Sequence, residues 1–109
     1  MDLYSQVVAS ILGGVTGFNH LAPKYFVGSE YTLFKPCNKP SYDNVEDAYA
    51  NPTSAIMSVG IVLRRFGKNE EAQAVIQAVK DAYAAGERTS DVGGSLSASE
   101  FADKVIGHL

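Results

Sequence analysis

Apolar residues recur at helical spacing from the very start of the chain. Residues 2–12 carry two adjoining apolar stripes, one of Leu3, Val7 and Ile11 and one of Tyr4, Val8 and Leu12. Asp2 is a suitable N-cap, and the pair Gly13-Gly14 predicts the end of this helix. Because two stripes make a wide apolar arc, we expect the helix to be largely buried between other elements.

A second helix is predicted to begin at Asn51, with Asn51 as the N-cap and Pro52 at the first helical position. Its apolar residues follow a spacing of three, four and three, and Gly67 predicts its end. We expect its inward stripe to consist of Ile56, Val59, Leu63 and Phe66.

Two further helices follow. Asn69 is the predicted cap of a helix over residues 69–85 that ends at Gly86, with Ala72, Ile76, Val79 and Tyr83 facing inward. The last helix opens at Ser97 with Glu100 three residues later, which is the capping-box pattern. We expect it to bury Phe101, Val105 and Leu109, and we expect His108 to cap its negative end.

One strand is predicted, at residues 31–34 (Tyr-Thr-Leu-Phe), between Gly28 and Pro36. We expect residues 13–28 to be irregular and residues 35–50 to form a polar loop. A single strand leaves its backbone N–H and C=O groups unpaired, so this one must pair with strands from elsewhere. The predicted fold class is α/β, mostly helices with one or few strands.

The composition is that of an ordinary globular protein. The chain has 109 residues, of which 46% are hydrophobic and 19% charged, and its net charge is −3. This charge argues against sequence-independent nucleic-acid binding, which requires clustered Lys and Arg. No apolar run approaches the ~20 residues needed to span a bilayer. Cys37 is the single cysteine, so an internal disulfide is excluded.

Several motifs occur in the order and spacing of one enzyme family. Residues 2–10 (Asp-Leu-Tyr-Ser-Gln-Val-Val-Ala-Ser) resemble the Asn-Leu-Tyr-Gly-Asp-Ile-Leu-Ser-Asp segment of the isocitrate and isopropylmalate dehydrogenases. Residues 50–53 match that family's Ala-Asn-Pro-Thr, and residues 63–67 are similar to its Leu-Arg-His-Leu-Gly. Residues 91–94 and 99–101 resemble its Asp-Leu-Gly-Gly and Ser-Glu-Phe. The resemblance implies a single partial domain over residues 1–109, equivalent to the C-terminal third of a family subunit.

The resemblance also identifies two departures from the family pattern. Gln6 and Ser10 stand where the family has two metal-binding aspartates, and neither side chain is anionic, so we expect no divalent metal there. In the adenosine-binding loop, Asn38 replaces a histidine and Lys39 a glycine, while Asp43 and Asn51 keep their types. A lysine fills space that only glycine leaves open. We therefore expect no bound NAD or other cofactor.

These departures suggest a function without catalysis. The resemblance and its departures imply that the chain is not an enzyme, and that it is a structural or regulatory subunit in a multiprotein, mitochondrial assembly with other protein subunits. Within that interpretation the chain is either one piece of a split or cleaved subunit or a shortened relative recruited into another complex. The alternative is a regulatory module that binds a nucleotide or a carboxylate through Lys39, Asp43 and Asn51. Completion of another subunit's catalytic site is a third, less favoured interpretation.

Overall fold

The computed structural model describes residues 3–16, 21–36 and 51–109. Within residues 3–16, the side chains at positions 5, 6, 9, 10, 13, 14 and 16 are not described, so Gln6 and Ser10 lie outside the described side chains. Asn38, Lys39, Asp43 and Cys37 also lie outside the described residues.

The described segments form helices and one small sheet, in agreement with the predicted partial α/β dehydrogenase-like fold. The elements in chain order are α1 (Leu3–Thr16), β1 (Lys24–Val27), β2 (Thr32–Lys35), α2 (Thr53–Arg65), α3 (Asn69–Ala84), a single 3₁₀ turn (Ser90–Val92) and α4 (Ala98–Gly107).

Helices α3 and α4 share a small core with the first half of α2. Ala78, Val79 and Ala82 of α3 pack against Phe101 and Val105 of α4, and Phe101 is 0% exposed. Partly buried residues complete this cluster, namely Ile56, Met57, Tyr83 and Leu96. The predicted inward faces of α3 and of the first two turns of α4 are therefore confirmed.

Glycines end α2 and α3 as predicted, and the backbone shows why. Gly67 has φ +78° and Gly86 has φ +81°, a left-handed conformation that favours glycine. After α2, the Lys68 N–H donates to the Leu63 carbonyl at 2.9 Å. After α3, the Glu87 N–H donates to the Ala82 carbonyl at 3.0 Å. Both ends are Schellman motifs, which satisfy carbonyls that a helix end leaves unpaired.

The capping box of α4 is confirmed by both of its hydrogen bonds. The Ser97 Oγ accepts from the Glu100 N–H at 3.3 Å, and the Glu100 Oε2 accepts from the Ser97 N–H at 2.8 Å. The predicted caps of α2 and α3 are each displaced by one residue. Pro52 and Lys68 occupy the N-cap positions, and neither of these two side chains accepts a capping hydrogen bond; at the start of α2 the Asn51 Oδ1 accepts from the Thr53 N–H instead. Helix ends defined by weak local preferences shift in this way.

The second helix turns a different face inward from the one predicted. Val59 is 53% exposed and Phe66 is 78% exposed, so the expectation that the stripe from Ile56 to Phe66 is inward is wrong for these two residues. The buried residues of α2 are instead Thr53, Ser54 and Gly60. A Cβ on Gly60 would lie 3.4 Å from the Ile76 Cγ1, which shows that the two helices approach closely at this glycine. Close contact with α3, and not the apolar stripe, therefore determines which face of α2 is buried.

The single predicted strand is one half of a β-hairpin. Strand β2 begins one residue later than predicted and pairs antiparallel with β1, which lies in a stretch predicted to be irregular. The rings of Tyr25 and Phe34, directly opposite in the register, stack with centroids 6.3 Å apart. Since β1 is only four residues long and follows Pro23, its sequence carried no recognisable alternation.

Helix α1 is longer and more exposed than predicted. It continues to Thr16, so the prediction that Gly13-Gly14 ends it is wrong, and a glycine inside a helix costs only about 1 kcal/mol. The prediction that its apolar residues are buried is also wrong for the described side chains. They are at least 42% exposed, and they comprise Leu3, Tyr4, Val7, Val8, Ile11, Leu12 and Val15. Leu109 at the end of the chain, predicted to be buried, is 65% exposed.

Candidate functional site

A hydrogen-bonded polar cluster lies at the start of α2. Asn51 immediately precedes this helix, and its Oδ1 accepts from the Thr53 N–H at 3.0 Å. Its Nδ2 donates to the Asp91 Oδ2 at 3.0 Å and approaches the Tyr83 hydroxyl at 3.4 Å. The amide of Asn51 therefore connects α2 with α3 and with the 3₁₀ turn.

Tyr83 connects this cluster with the apolar core. Its hydroxyl lies 2.7 Å from the Thr53 Oγ1, and Thr53 is only 3% exposed. Since the Asn51 amide donates to the same hydroxyl oxygen, the Tyr83 O–H is available to donate to Thr53. The Tyr83 ring packs on Phe101, with centroids 5.4 Å apart and planes tilted by 55°. The Tyr83 side chain is thus held at its hydroxyl by Thr53 and Asn51 and at its ring by Phe101.

The loop that carries Asp91 is held by a side-chain hydrogen bond and by close packing of its backbone. Thr89 is 0% exposed, and its Oγ1 donates to the Asp91 Oδ1 at 2.5 Å. Gly93 adopts φ +84°, and a Cβ on Gly94 would overlap the Arg88 carbonyl oxygen. Only glycine fits at position 94, because the backbone of Arg88 occupies the space that a Cβ would need. The Asp91-Val92-Gly93-Gly94 motif is therefore a compact turn that presents one carboxylate.

A small cavity adjoins the cluster. It has a volume of about 220 Å³ and is lined by Leu21, Tyr83, Arg88 and Val92. The guanidinium of Arg88 donates to the Tyr83 carbonyl at 3.3 Å. Asp91 is exposed at the surface. A ligand in this cavity would meet the apolar side chains of Leu21 and Val92, the ring of Tyr83 and one cation, Arg88.

This arrangement can bind hydrogen-bond donors, and its described residues do not form a nucleophile with an adjacent base. A carboxylate and an amide oxygen accept hydrogen bonds from hydroxyl or amine groups. Among the described residues, no group of three or more His, Cys, Asp or Glu side chains is placed to hold a metal ion. Gln6 and Ser10 offer neutral oxygens, and this donor set does not fit a Mg²⁺ site.

The sequence analysis identified part of this site. Asn51 and the Asp91 motif were both singled out, and the structure brings them together. Lys39 and Asp43, the other two residues of the predicted ligand-binding set, lie outside the described residues. Tyr83 was assigned to the core face of α3, and its hydroxyl was missed. A tyrosine in a stripe that otherwise holds only Ala, Val and Ile is the signal that pointed to it.

A second charged group lies at the end of α4. The Glu87 Oε2 lies 2.8 Å from the His108 Nε2, and the Glu87 Oε1 lies 3.6 Å from the Lys104 Nζ. The hydrogen bond from His108, together with the charge of Lys104, holds the pKa of Glu87 below its usual value. His108 occupies the C-cap of α4, as predicted, and also joins that end to the loop after α3.

Comparison with known proteins agrees with these motifs. The family model described as isocitrate/isopropylmalate dehydrogenase matches residues 1–105. The 3-isopropylmalate dehydrogenase of Archaeoglobus fulgidus is 35% identical over 99% of this chain and 33% of its own length. Subunit 1 of the mitochondrial NAD isocitrate dehydrogenase of Kluyveromyces lactis is 34% identical over 99% of this chain and 30% of its own length.

A third relative is the beta subunit of the mitochondrial NAD isocitrate dehydrogenase of Bos taurus. It is 29% identical over 99% of this chain and 29% of its own length. The chain thus spans about a third of the length of the curated relatives it matches. No helix in the described part of the chain combines the length and apolar character needed to cross a membrane.

These relatives correct one prediction. The expectation that the chain is not an enzyme is wrong, because it matches proteins named as dehydrogenases over almost its whole length. The replacements at residues 6 and 10 concern side chains outside the described set, so no loss of a catalytic group is observed in the structure.

Proposed function

Since this chain belongs to the isocitrate/isopropylmalate dehydrogenase family, we propose that it is a structural or regulatory component of a dehydrogenase-type multiprotein assembly. The observation that carries this proposal is the surface of α1. Seven apolar side chains along this helix are 42 to 82% exposed, which is far more apolar surface than a helix in contact with a core presents. Contiguous exposed apolar surface usually marks a protein interface.

The relatives support the same proposal. Residues 1–109 form one partial domain, equivalent to about a third of the family fold. We place the assembly in the mitochondrion. Two of the relatives are named as subunits of mitochondrial NAD isocitrate dehydrogenases, which supports a hetero-oligomer.

The test is purification of the natural assembly under non-denaturing conditions, with a tag on this chain. We expect a dehydrogenase-type polypeptide to co-purify at equal stoichiometry. NAD reduction by the purified assembly is then measured with isocitrate and with isopropylmalate. If the chain purifies alone, and no dehydrogenase activity accompanies it, the proposal is wrong.

A second candidate function is supported by the polar cluster. Arg88 lines the 220 Å³ cavity together with Tyr83, whose hydroxyl accepts from the Asn51 amide, so the anionic group of a regulatory nucleotide or a carboxylate has a cation to bind. Thermal shift with NAD, adenine nucleotides and citrate tests this, because a ligand that prefers the folded state raises the melting temperature. A shift that Asn51→Ala abolishes and Asn69→Ala retains would favour this second function. No shift with any of these ligands would rule it out.

A further inference from the structure

Two lysines face each other across the β-hairpin. The antiparallel register pairs Lys24 of β1 directly with Lys35 of β2, so both side chains project from the same face. Directly opposite residues have Cβ atoms only ~5 Å apart, and like charges at this distance destabilise a strand pair. The hairpin therefore carries a local concentration of positive charge that its own folding does not favour.

Neither lysine is neutralised within the described part of the chain. Lys24 and Lys35 are both exposed, and no described carboxylate forms a salt bridge with either of them. The chain as a whole has a net charge of −3, so this basic pair is opposite in sign to the net charge of the chain. An anionic group bound between the two ammonium groups would relieve their repulsion.

The same hairpin face continues into apolar surface. Phe26 and Leu33 form the next pair on that face, two residues from the lysines along each strand. Leu33 is 61% exposed, and Phe26 is half-buried. A small inorganic anion would use only the lysines. A polypeptide with carboxylates beside apolar side chains matches both parts of the face.

We propose that this face of the hairpin, defined by Lys24, Lys35, Phe26 and Leu33, is the docking surface for an acidic segment of another protein. Asp or Glu side chains of that segment bind between the two lysines, and its apolar residues cover Leu33. This inference rests on the proposed assembly and names one of its contact surfaces. Complementary charge at such a surface contributes more to specificity and association rate than to affinity.

The test is carbodiimide crosslinking of the natural assembly, since this reagent joins a lysine amine directly to a carboxylate in contact with it. We expect Lys24 and Lys35 to be linked to Asp or Glu residues of another polypeptide. Lys80, which is exposed on α3, is the control lysine and should give no such link. Acetylation of surface amines should modify Lys80 and spare Lys24 and Lys35 in the assembled state.

A matched set of variants tests the charge itself. The double variant Lys24→Glu with Lys35→Glu should co-purify with about tenfold less of the partner protein identified by crosslinking. Two exposed ion pairs become repulsive contacts in this variant. The double variant Lys24→Arg with Lys35→Arg should co-purify with the same amount of this partner protein as the unaltered chain, and so should the control Lys80→Glu. Loss of the protein with the Arg pair as well would show a structural effect and overturn the inference.

Other outcomes separate the inference from the proposed function. Links from either lysine to Asp43, Glu46 or Asp47 of the same chain would mean that the pair is neutralised internally, and would overturn the inference alone. Full acetylation of both lysines in an intact assembly would do the same. If the unaltered chain co-purifies with no other protein, the proposed assembly itself is wrong.

Discussion

The side-chain amide of Asn51 donates a 3.0 Å hydrogen bond to the carboxylate of Asp91, which lies 40 residues further along the chain. This one contact joins the residue before α2 to the turn before α4. It also joins two motifs that resemble the dehydrogenase family, so their separation in sequence becomes proximity in space. The predictions below follow from this contact and from its neighbours.

The first prediction concerns Asn51. Asn51→Ala removes the bond to Asp91 and the acceptor for the Thr53 N–H, so it should destabilise this region by about 1–2 kcal/mol. Asn51→Asp should be more harmful at neutral pH, because two carboxylates then face each other, and less harmful in acid. Native-state hydrogen exchange of the α2 amides measures both effects. Asn69→Ala is the control. Equal exchange in Asn51→Ala and the unaltered chain would contradict the prediction.

The second prediction separates the two roles of Tyr83. Tyr83→Phe keeps the ring on Phe101 and removes the 2.7 Å contact with Thr53, so it should cost about 1 kcal/mol. Thr53→Val should cost a similar amount, and the double variant should cost less than the sum of the two. A double-mutant cycle by hydrogen exchange measures this coupling, which for a direct contact is about 0.5–3 kcal/mol. Strictly additive effects would show that the hydroxyls do not interact.

The third prediction compares two glycines. Gly94→Ala should destabilise the chain by about 3 kcal/mol, because the new Cβ meets the Arg88 backbone, which cannot move without displacing the Thr89 bridge to Leu96. Gly107→Ala meets nothing within 4 Å and should stabilise α4 slightly, by up to about 0.5 kcal/mol. Exchange rates of the α4 amides should therefore change in opposite directions. A harmless Gly94→Ala would mean that the turn has another conformation.

The fourth prediction is a pH dependence of α4. The Ser97 backbone N–H, aided by the Ser97 side chain, lowers the pKa of Glu100 below its ordinary value of 4.5. The stabilising contribution is therefore fully present above pH 4.5, and it is lost as the pH falls through the lower pKa of the folded state. Glu100→Gln keeps an acceptor and should remove this pH dependence, whereas Ser97→Ala should cost about 1 kcal/mol at neutral pH. Amide exchange in the first turn of α4 is the measurement, and an unchanged acid dependence in Glu100→Gln would contradict it.

The fifth prediction is that the isolated chain associates. The exposed apolar side chains of α1 favour contact with a partner, and so do the edges of the two-stranded hairpin, which pair with no third strand among the described residues. Light scattering should therefore report species larger than a monomer, and Ile11→Lys should reduce them. Ile106→Lys is a matched control, because Ile106 is 64% exposed and Ile11 is 60% exposed. A monodisperse monomer with one sharp unfolding transition would contradict this prediction.

The sequence alone determined those features that depend on a few neighbouring residues. Ser97 and Glu100 predicted the capping box, and Gly67 and Gly86 predicted two helix ends, because caps and left-handed turns are set by short-range hydrogen bonds and sterics. The motifs that resemble the dehydrogenase family also located Asn51 and Asp91. The inward face of α3 was correct because α2 packs on it at Ile76 and α4 packs on it at Val79.

Only the tertiary structure decided which apolar residues are buried and which polar groups meet. Val59 and Phe66 fit a helical stripe, yet α3 packs on the neighbouring face of α2 that carries Gly60, so these two residues remain exposed. The contact of Asn51 with Asp91 and the role of the Tyr83 hydroxyl depend on how α2, α3 and the 3₁₀ turn pack. Periodicity reports that a residue prefers an apolar environment, whereas burial requires another surface to cover it, and that surface is set by distant parts of the chain or by a partner.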